Sequence, residues 1–251
     1  MDWRGIMDRI CSGCRDILGE NLLGIYVHGS IAFGCYNPQK SDIDFLVVTE
    51  YAPDLLQKQH MIRLLMQLAP LAPEKGIEMS VVLRRDCRDF SYPTPYQLHY
   101  SATHHAAYEH DLTGHCLRLQ GTDPDLAAHF TVTRAVGIAL IGPEAQEMFA
   151  PVPPEDYLAS IRCDVESAAE DVRENPVYVL LNLCRVLAYM REGAVISKAQ
   201  GGLWGLQRLP EQYHGLLTGA LNAYRGDGAY RADAETEQQF VQMMLNEIFC
   251  A

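Results

Sequence analysis

No apolar run in the 251-residue chain approaches the ~20 residues of a membrane span. The start, Met1-Asp2-Trp3-Arg4-Gly5, lacks the basic-then-apolar form of a signal peptide. The expected place is therefore the cytoplasm. Positive charge is scarce. Twenty basic residues stand against 32 acidic ones, a net charge of −12 with a pI near 5.1. That balance excludes a broad basic face for gripping nucleic acid, so no nucleic-acid partner is expected. It is compatible with a cationic small substrate. No H-E-x-x-H occurs, which leaves the nine histidines without a zinc motif. Only one pair of the eight cysteines, Cys11 and Cys14, has C-x-x-C spacing. It lies in a helical pattern with no second C-x-x-C, so reduced, half-buried thiols are expected. Repeats and low-complexity tracts are absent, and only two tryptophans occur, Trp3 and Trp204.

What is present gathers in Gly24–Glu50, GIYVHGSIAFGCYNPQKSDIDFLVVTE. A short apolar run, Leu22 to Val27, reads as a buried strand and turns on His28-Gly29-Ser30. Eleven residues separate Ser30 from Asp42-Ile43-Asp44, which is followed by the strand-like Phe45-Leu46-Val47-Val48. Strand alternation puts Asp42 and Asp44 on one side and Ile43 and Phe45 on the other, toward the core. Two adjacent carboxylates repel each other unless a cation lies between them. Hard oxygen donors of this kind suit Mg²⁺, which is commonly held by carboxylates together with substrate phosphates. Gly29 permits close backbone approach, and Ser30 offers a hydroxyl and an N–H where a helix could begin. This pattern resembles the signature of the nucleotidyltransferase superfamily that includes DNA polymerase β and the antibiotic nucleotidyltransferases. A bare D-x-D is weak; Gly-Ser closing one strand and D-x-D opening the next, at this separation, is much stronger.

The rest of the chain reads as two parts. A helix is expected over 1–19 and another over Ala52–Leu71. Gly76–Leu83 reads as a strand with Glu78 near its start. Should that strand lie beside the D-x-D strand, Glu78 reaches the same cleft as a metal ligand or a general base. Ser91–Tyr100 is aromatic and proline-rich and reads equally as a pocket wall or a surface loop with an edge strand. Asp123-Pro124-Asp125 starts a helix with Leu126–Val136 as its body, and Ile138–Ile141 is a final strand. Ala150-Pro151-Val152-Pro153-Pro154 marks a boundary between domains 1–150 and 151–251. Helices are expected beyond it over Glu155–Glu174, Val177–Arg191, Lys198–Gln207, Glu211–Tyr224 and Glu235–Phe249. Residues 155–174 carry seven acids against two arginines; a solvated face or amine binding both fit. Arg185 sits in an apolar helix and needs a partner, for which a triphosphate is one candidate.

Several segments together resemble an aminoglycoside nucleotidyltransferase of the streptomycin/spectinomycin adenylyltransferase type: HGSIAFG…SDIDFLVV, IEMSVVL, ALIGPEAQEMFAPVP, LLNLCRVLAY, ISKAQGGLWGLQRLPEQY and ALNAYRG. The resemblance runs from about residue 20 to 249. It implies an α/β N-terminal nucleotidyltransferase domain, a mixed sheet flanked by helices, and an all-α C-terminal bundle, with the active site between them. It implies transfer of AMP from ATP, with Mg²⁺, to a hydroxyl of a cationic aminoglycoside or aminocyclitol by a monomer. Carried over, Asp42 and Asp44 hold the metal, Glu78 is the catalytic base, and Gly29, Ser30 and Ser41 meet the triphosphate. Arg185 and Lys198 would reach the phosphates, Tyr224 would lie near the nucleotide, and Asp171 and Glu174 are candidates for the drug's amines. Members that accept streptomycin carry a tryptophan in the connection before the arginine helix. Here that connection, ESAAEDVRENPVY, has none, so spectinomycin is the favoured acceptor. The competing expectations are the same chemistry on a protein or tRNA of the toxin–antitoxin kind, and a degenerate nucleotide-binding module.

Overall fold

The computed structural model describes residues 2–250 and divides into two compact units, Met1–Val152 and Pro153–Ala251. The first unit begins with α1 (Trp3–Leu18), whose Ile6, Met7, Ile10, Cys14 and Leu18 form one buried stripe. Burial pushes the Cys14 thiol up to about 12, which makes it a packing group rather than a reactive one. Next come β1 (Leu22–Val27), the single turn α2 (Gly29–Ala32), β2 (Ile43–Thr49), α3 (Leu55–Leu68) and β3 (Ile77–Leu83). The start of α3 is fixed by Asp54, which accepts the Gln57 N–H at 2.8 Å, while Gln57 accepts the Asp54 N–H at 3.0 Å. The remaining elements are α4 (Arg84–Arg88), β4 (Thr94–Tyr96), β5 (Leu98–Tyr100), α5 (His105–Arg118), β6 (Gly121–Asp123), α6 (Leu126–Val136), β7 (Ile138–Ile141) and α7 (Ala145–Met148).

Five strands form a mixed sheet in the order β5-β3-β2-β1-β7. The β2–β3 pair is parallel, with α3 as its crossover, and the other neighbours are antiparallel. β4 and β6 make a separate two-stranded ribbon. Both faces of the sheet are covered. Ile43, Phe45, Val47, Met79 and Val81 join α1, α3 and α5 in one core. Leu46, Val48 and Val82 join Leu126 and Phe130 of α6 and Phe149 in the other. The face that carries Asp44 continues at once into this second core. Each large side chain buried there contributes about 1.5–3 kcal/mol. That leaves the carboxylates confined to one end of the strands.

The second unit is helical: α8 (Pro154–Cys163), α9 (Ala168–Asp171), α10 (Pro176–Glu192), α11 (Lys198–Arg208), α12 (His214–Arg225) and α13 (Ala234–Phe249). The fold class is thus the expected one. One helix is not. Glu155–Glu174 breaks into α8 and the short α9. Between them the amide hydrogen bonds tighten to i−3 partners, Val165 to Arg162 at 3.0 Å and Ala168 to Val165 at 3.2 Å. Like charges at i, i+4 (Glu166, Glu170, Glu174) oppose a continuous helix, and the break lets Asp164 reach Arg185. α5, over His105–Arg118, is an element with no predicted counterpart. It buries only Tyr108 and Cys116 and is interrupted at Asp111, so it offers no sustained apolar stripe to read. No helix among the described residues is long and apolar enough to cross a membrane.

Candidate active site

The acidic centre follows from the register of two parallel strands. In β2 every residue is buried except Asp44, and in β3 every residue is buried except Glu78. The two are direct cross-strand partners. Asp42, one alternation before Asp44, completes the group, and one carboxylate oxygen from each of the three lies within 4.8 Å of the others. Three like charges this close favour a cation among them. The donor set, all carboxylate oxygen, is that of a hard divalent ion such as Mg²⁺. The residues present therefore fit the metal that the resemblance implies.

The turn after β1 closes over this group. Gly29 has φ +60°, and a Cβ built on it would collide with the Asp44 carboxylate, reaching Asp44 Cγ at 3.0 Å. Only glycine combines that backbone conformation with that approach. The His28 N–H donates to the Asp44 carbonyl at 3.0 Å, fixing the turn to β2. Ser30 Oγ is buried and meets no hydrogen-bond partner among the described residues. A buried hydroxyl without a partner costs roughly 1–3 kcal/mol, and a bound anion would remove that cost. Ser41, also buried, uses its Oγ to accept the Asn37 N–H at 3.2 Å and donates its own N–H to the Asn37 carbonyl at 2.8 Å. Its visible work is to hold the loop that delivers Asp42.

Histidines crowd Glu78. His129 of α6 places Nε2 4.0 Å from Glu78 Oε1. Its ring packs on that of His28 with centroids 4.7 Å apart. Burial, together with the neighbouring His129, pushes the His28 imidazole well below its ordinary range, so it stays neutral. His99 of β5 accepts or donates at Nδ1 with Ser80 Oγ at 3.0 Å, and burial lowers it too, against the pull of Glu78. None of these histidines was a candidate in the sequence. The signal for His129 was a lone polar residue in the apolar run Leu126-Ala127-Ala128-His129-Phe130.

The second unit holds the other candidates. Arg185 of α10 is mostly buried and donates to Asp164 Oδ2 at 3.3 Å, so the partner that the structure supplies is a carboxylate of its own unit. Lys198 opens α11, where Ser197 and Gln200 form a capping box, and its ammonium lies 4.6 Å from the centre of the Tyr178 ring. Tyr224 lies half-buried near the end of α12. Asp171 and Glu174 are exposed, and Asp171 Oδ2 accepts the Ser167 hydroxyl at 2.5 Å.

Comparison with known proteins finds matches in both units. Residues 9–92 match the model of the nucleotidyltransferase domain. Residues 147–247 match that of the aminoglycoside adenylyltransferase C-terminal domain. Each unit of the chain is thus similar to a part of the aminoglycoside adenylyltransferases. An aminoglycoside (3'') (9) adenylyltransferase of Escherichia coli is 27% identical, over 92% of this chain and 89% of that protein. A spectinomycin 9-adenylyltransferase of Staphylococcus aureus is 26% identical, over 85% of this chain and 82% of that protein. The fold is similar to that of a spectinomycin adenyltransferase from Enterococcus faecialis, solved with ATP and spectinomycin. The TM-score is 0.81 at 19% identity, over 98% of both chains. The chain is a nucleotidyltransferase, and Asp42, Asp44 and Glu78 come together within the part that matches the nucleotidyltransferase domain.

Proposed function

We propose that this enzyme transfers AMP from ATP to a hydroxyl of an aminocyclitol antibiotic, spectinomycin in preference to streptomycin, and so confers resistance. The observation that carries the reading is the acid group itself: three carboxylates within 4.8 Å, beside a glycine turn and a partnerless buried serine. Asp42 and Asp44 would hold Mg²⁺. When bound, Mg²⁺ supplies charge neutralisation at the phosphates and orientation of the α-phosphorus. Gly29 and Ser30 offer the triphosphate their N–H groups and a hydroxyl. Glu78 accepts the proton of the attacking hydroxyl as its oxygen bonds to the α-phosphorus and the bond to pyrophosphate breaks. The assignment of Arg185 and Lys198 to the phosphates, Ser41 to the triphosphate, Tyr224 to the nucleotide, and Asp171 and Glu174 to the drug's amines rests on the family resemblance. The preference for spectinomycin rests on the connection before α10, which lacks tryptophan. Relatives named for spectinomycin support that drug as an acceptor, not the preference. The enzyme is proposed to act as a monomer in the cytoplasm.

An acceptor panel tests this. Labelled ATP and Mg²⁺ are supplied with spectinomycin, streptomycin, tRNA or cell protein in parallel. The reading expects label on spectinomycin. Label on tRNA or protein alone would overturn the acceptor while leaving the nucleotidyl transfer.

A further inference from the structure

His129 stands where a general base would need a holder. Its Nε2 is 4.0 Å from Glu78 Oε1. The ring packs against that of His28, which is 4% exposed, with centroids 4.7 Å apart. His28 is in turn tied to β2 through its N–H on the Asp44 carbonyl at 3.0 Å. Below, α6 is pinned by Leu126 and Phe130, both fully buried, and the His129 N–H donates to the Asp125 carbonyl at 3.0 Å. The imidazole therefore has little freedom to swing away. Glu78 is different. It is the one residue of β3 that is not buried, on a side chain with three rotatable bonds. Left alone, its carboxylate would sample several orientations. The 4.0 Å gap is wider than a hydrogen bond, but a shift of about 1 Å or one bridging water closes it.

We propose that His129 is a positioning residue for Glu78: its Nε2–H donates to Oε1 and holds the carboxylate so that its other oxygen faces the acceptor hydroxyl. The proposal rests on the reading of Glu78 as the base. It extends to this site the logic by which a base is oriented by a third group. The donor is the Nε2–H, carried by the cation and by one of the two neutral tautomers, so no change of charge is required.

Two substitutions separate the donor from the packing. His129→Phe keeps a ring against His28 but cannot donate. His129→Gln places an amide N–H near the position of Nε2. Both variants should keep the wild-type Tm and the wild-type calorimetric affinity for ATP with Mg²⁺. In AMP transfer to spectinomycin, His129→Phe should lower kcat about 10- to 100-fold, the weight of a hydrogen bond to a charged group. His129→Gln should recover kcat to within about 3-fold of wild type. Added to Glu78→Gln, His129→Phe should cause no further loss, because the group it positions is already disabled. Wild-type kcat in His129→Phe, or a loss that persists in full on the Glu78→Gln background, would overturn the proposal. If His129→Phe does not fold, His129→Asn replaces it; that amide is too short to reach Oε1, and the same loss is expected. Near-normal turnover of Glu78→Gln alone would overturn the base itself. A disabled Glu78→Gln beside a normal His129→Phe would overturn only the positioning role.

Discussion

Gly29→Ala probes the closest approach in the site, and Gly34→Ala supplies its control. Both glycines have positive φ, +60° and +70°. An alanine at either position carries about 1–2 kcal/mol of left-handed backbone strain. For a chain of this size that lowers Tm by about 2–8 °C. The two differ in what the new methyl meets. At Gly34 nothing lies within 4 Å; at Gly29 the methyl runs into the Asp44 carboxylate. Asp44 is a short side chain on a strand paired on both sides, so it can escape only by leaving the acid group. A displacement of about 1 Å in such a group costs on the order of 10²-fold in rate. The expected result is a similar Tm loss in both variants and a rate loss only in Gly29→Ala. Scanning calorimetry gives the first, and pyrophosphate release with ATP and spectinomycin gives the second. Equal turnover in the two variants would refute the claim that Gly29 is required for the approach to Asp44.

Asp44→Asn should leave Tm unchanged and lower transfer by about 10³-fold or more, because a bound metal contributes several kcal/mol at the transition state; titration with Mg²⁺ should not restore it. Glu78→Gln should cost about 10²–10⁴ in kcat while calorimetric ATP affinity holds, since the base meets the acceptor rather than the phosphates. Stability should also fall in acid. His28 is held neutral in the folded chain and titrates normally, near 6.5, when unfolded. No penalty exists above pH 6.5. Below it the unfolded chain takes up a proton that the folded chain refuses, a loss of up to ~1.4 kcal/mol per pH unit. His28→Phe should remove one proton's worth of that slope in denaturant melts at pH 7.0 to about 5.

The acid group was legible because it is local in sequence. Strand alternation put Asp42 and Asp44 on one side, and a single assumption, that the Glu78 strand lies beside β2, brought in the third carboxylate. What was not legible depends on which elements pack together. Nothing near His129 in sequence says that α6 covers the Glu78 end of the sheet, or that His28 turns inward to stack on it. The break at Asp164 was hidden for the same reason. Its composition allows a helix, and only the ion pair with Arg185, 21 positions away, shows what the break is for. α5 escaped because two buried residues in 14 make no periodic pattern.

The most direct measurement of the central claim is a mass spectrum of spectinomycin after incubation with ATP, Mg²⁺ and enzyme. The account predicts one AMP ester per drug molecule, with an equal yield of pyrophosphate, from the wild-type chain. It predicts unmodified drug when Asp44→Asn replaces it or when EDTA removes the metal. Unmodified drug with the wild-type enzyme, or full conversion by Asp44→Asn, would contradict it.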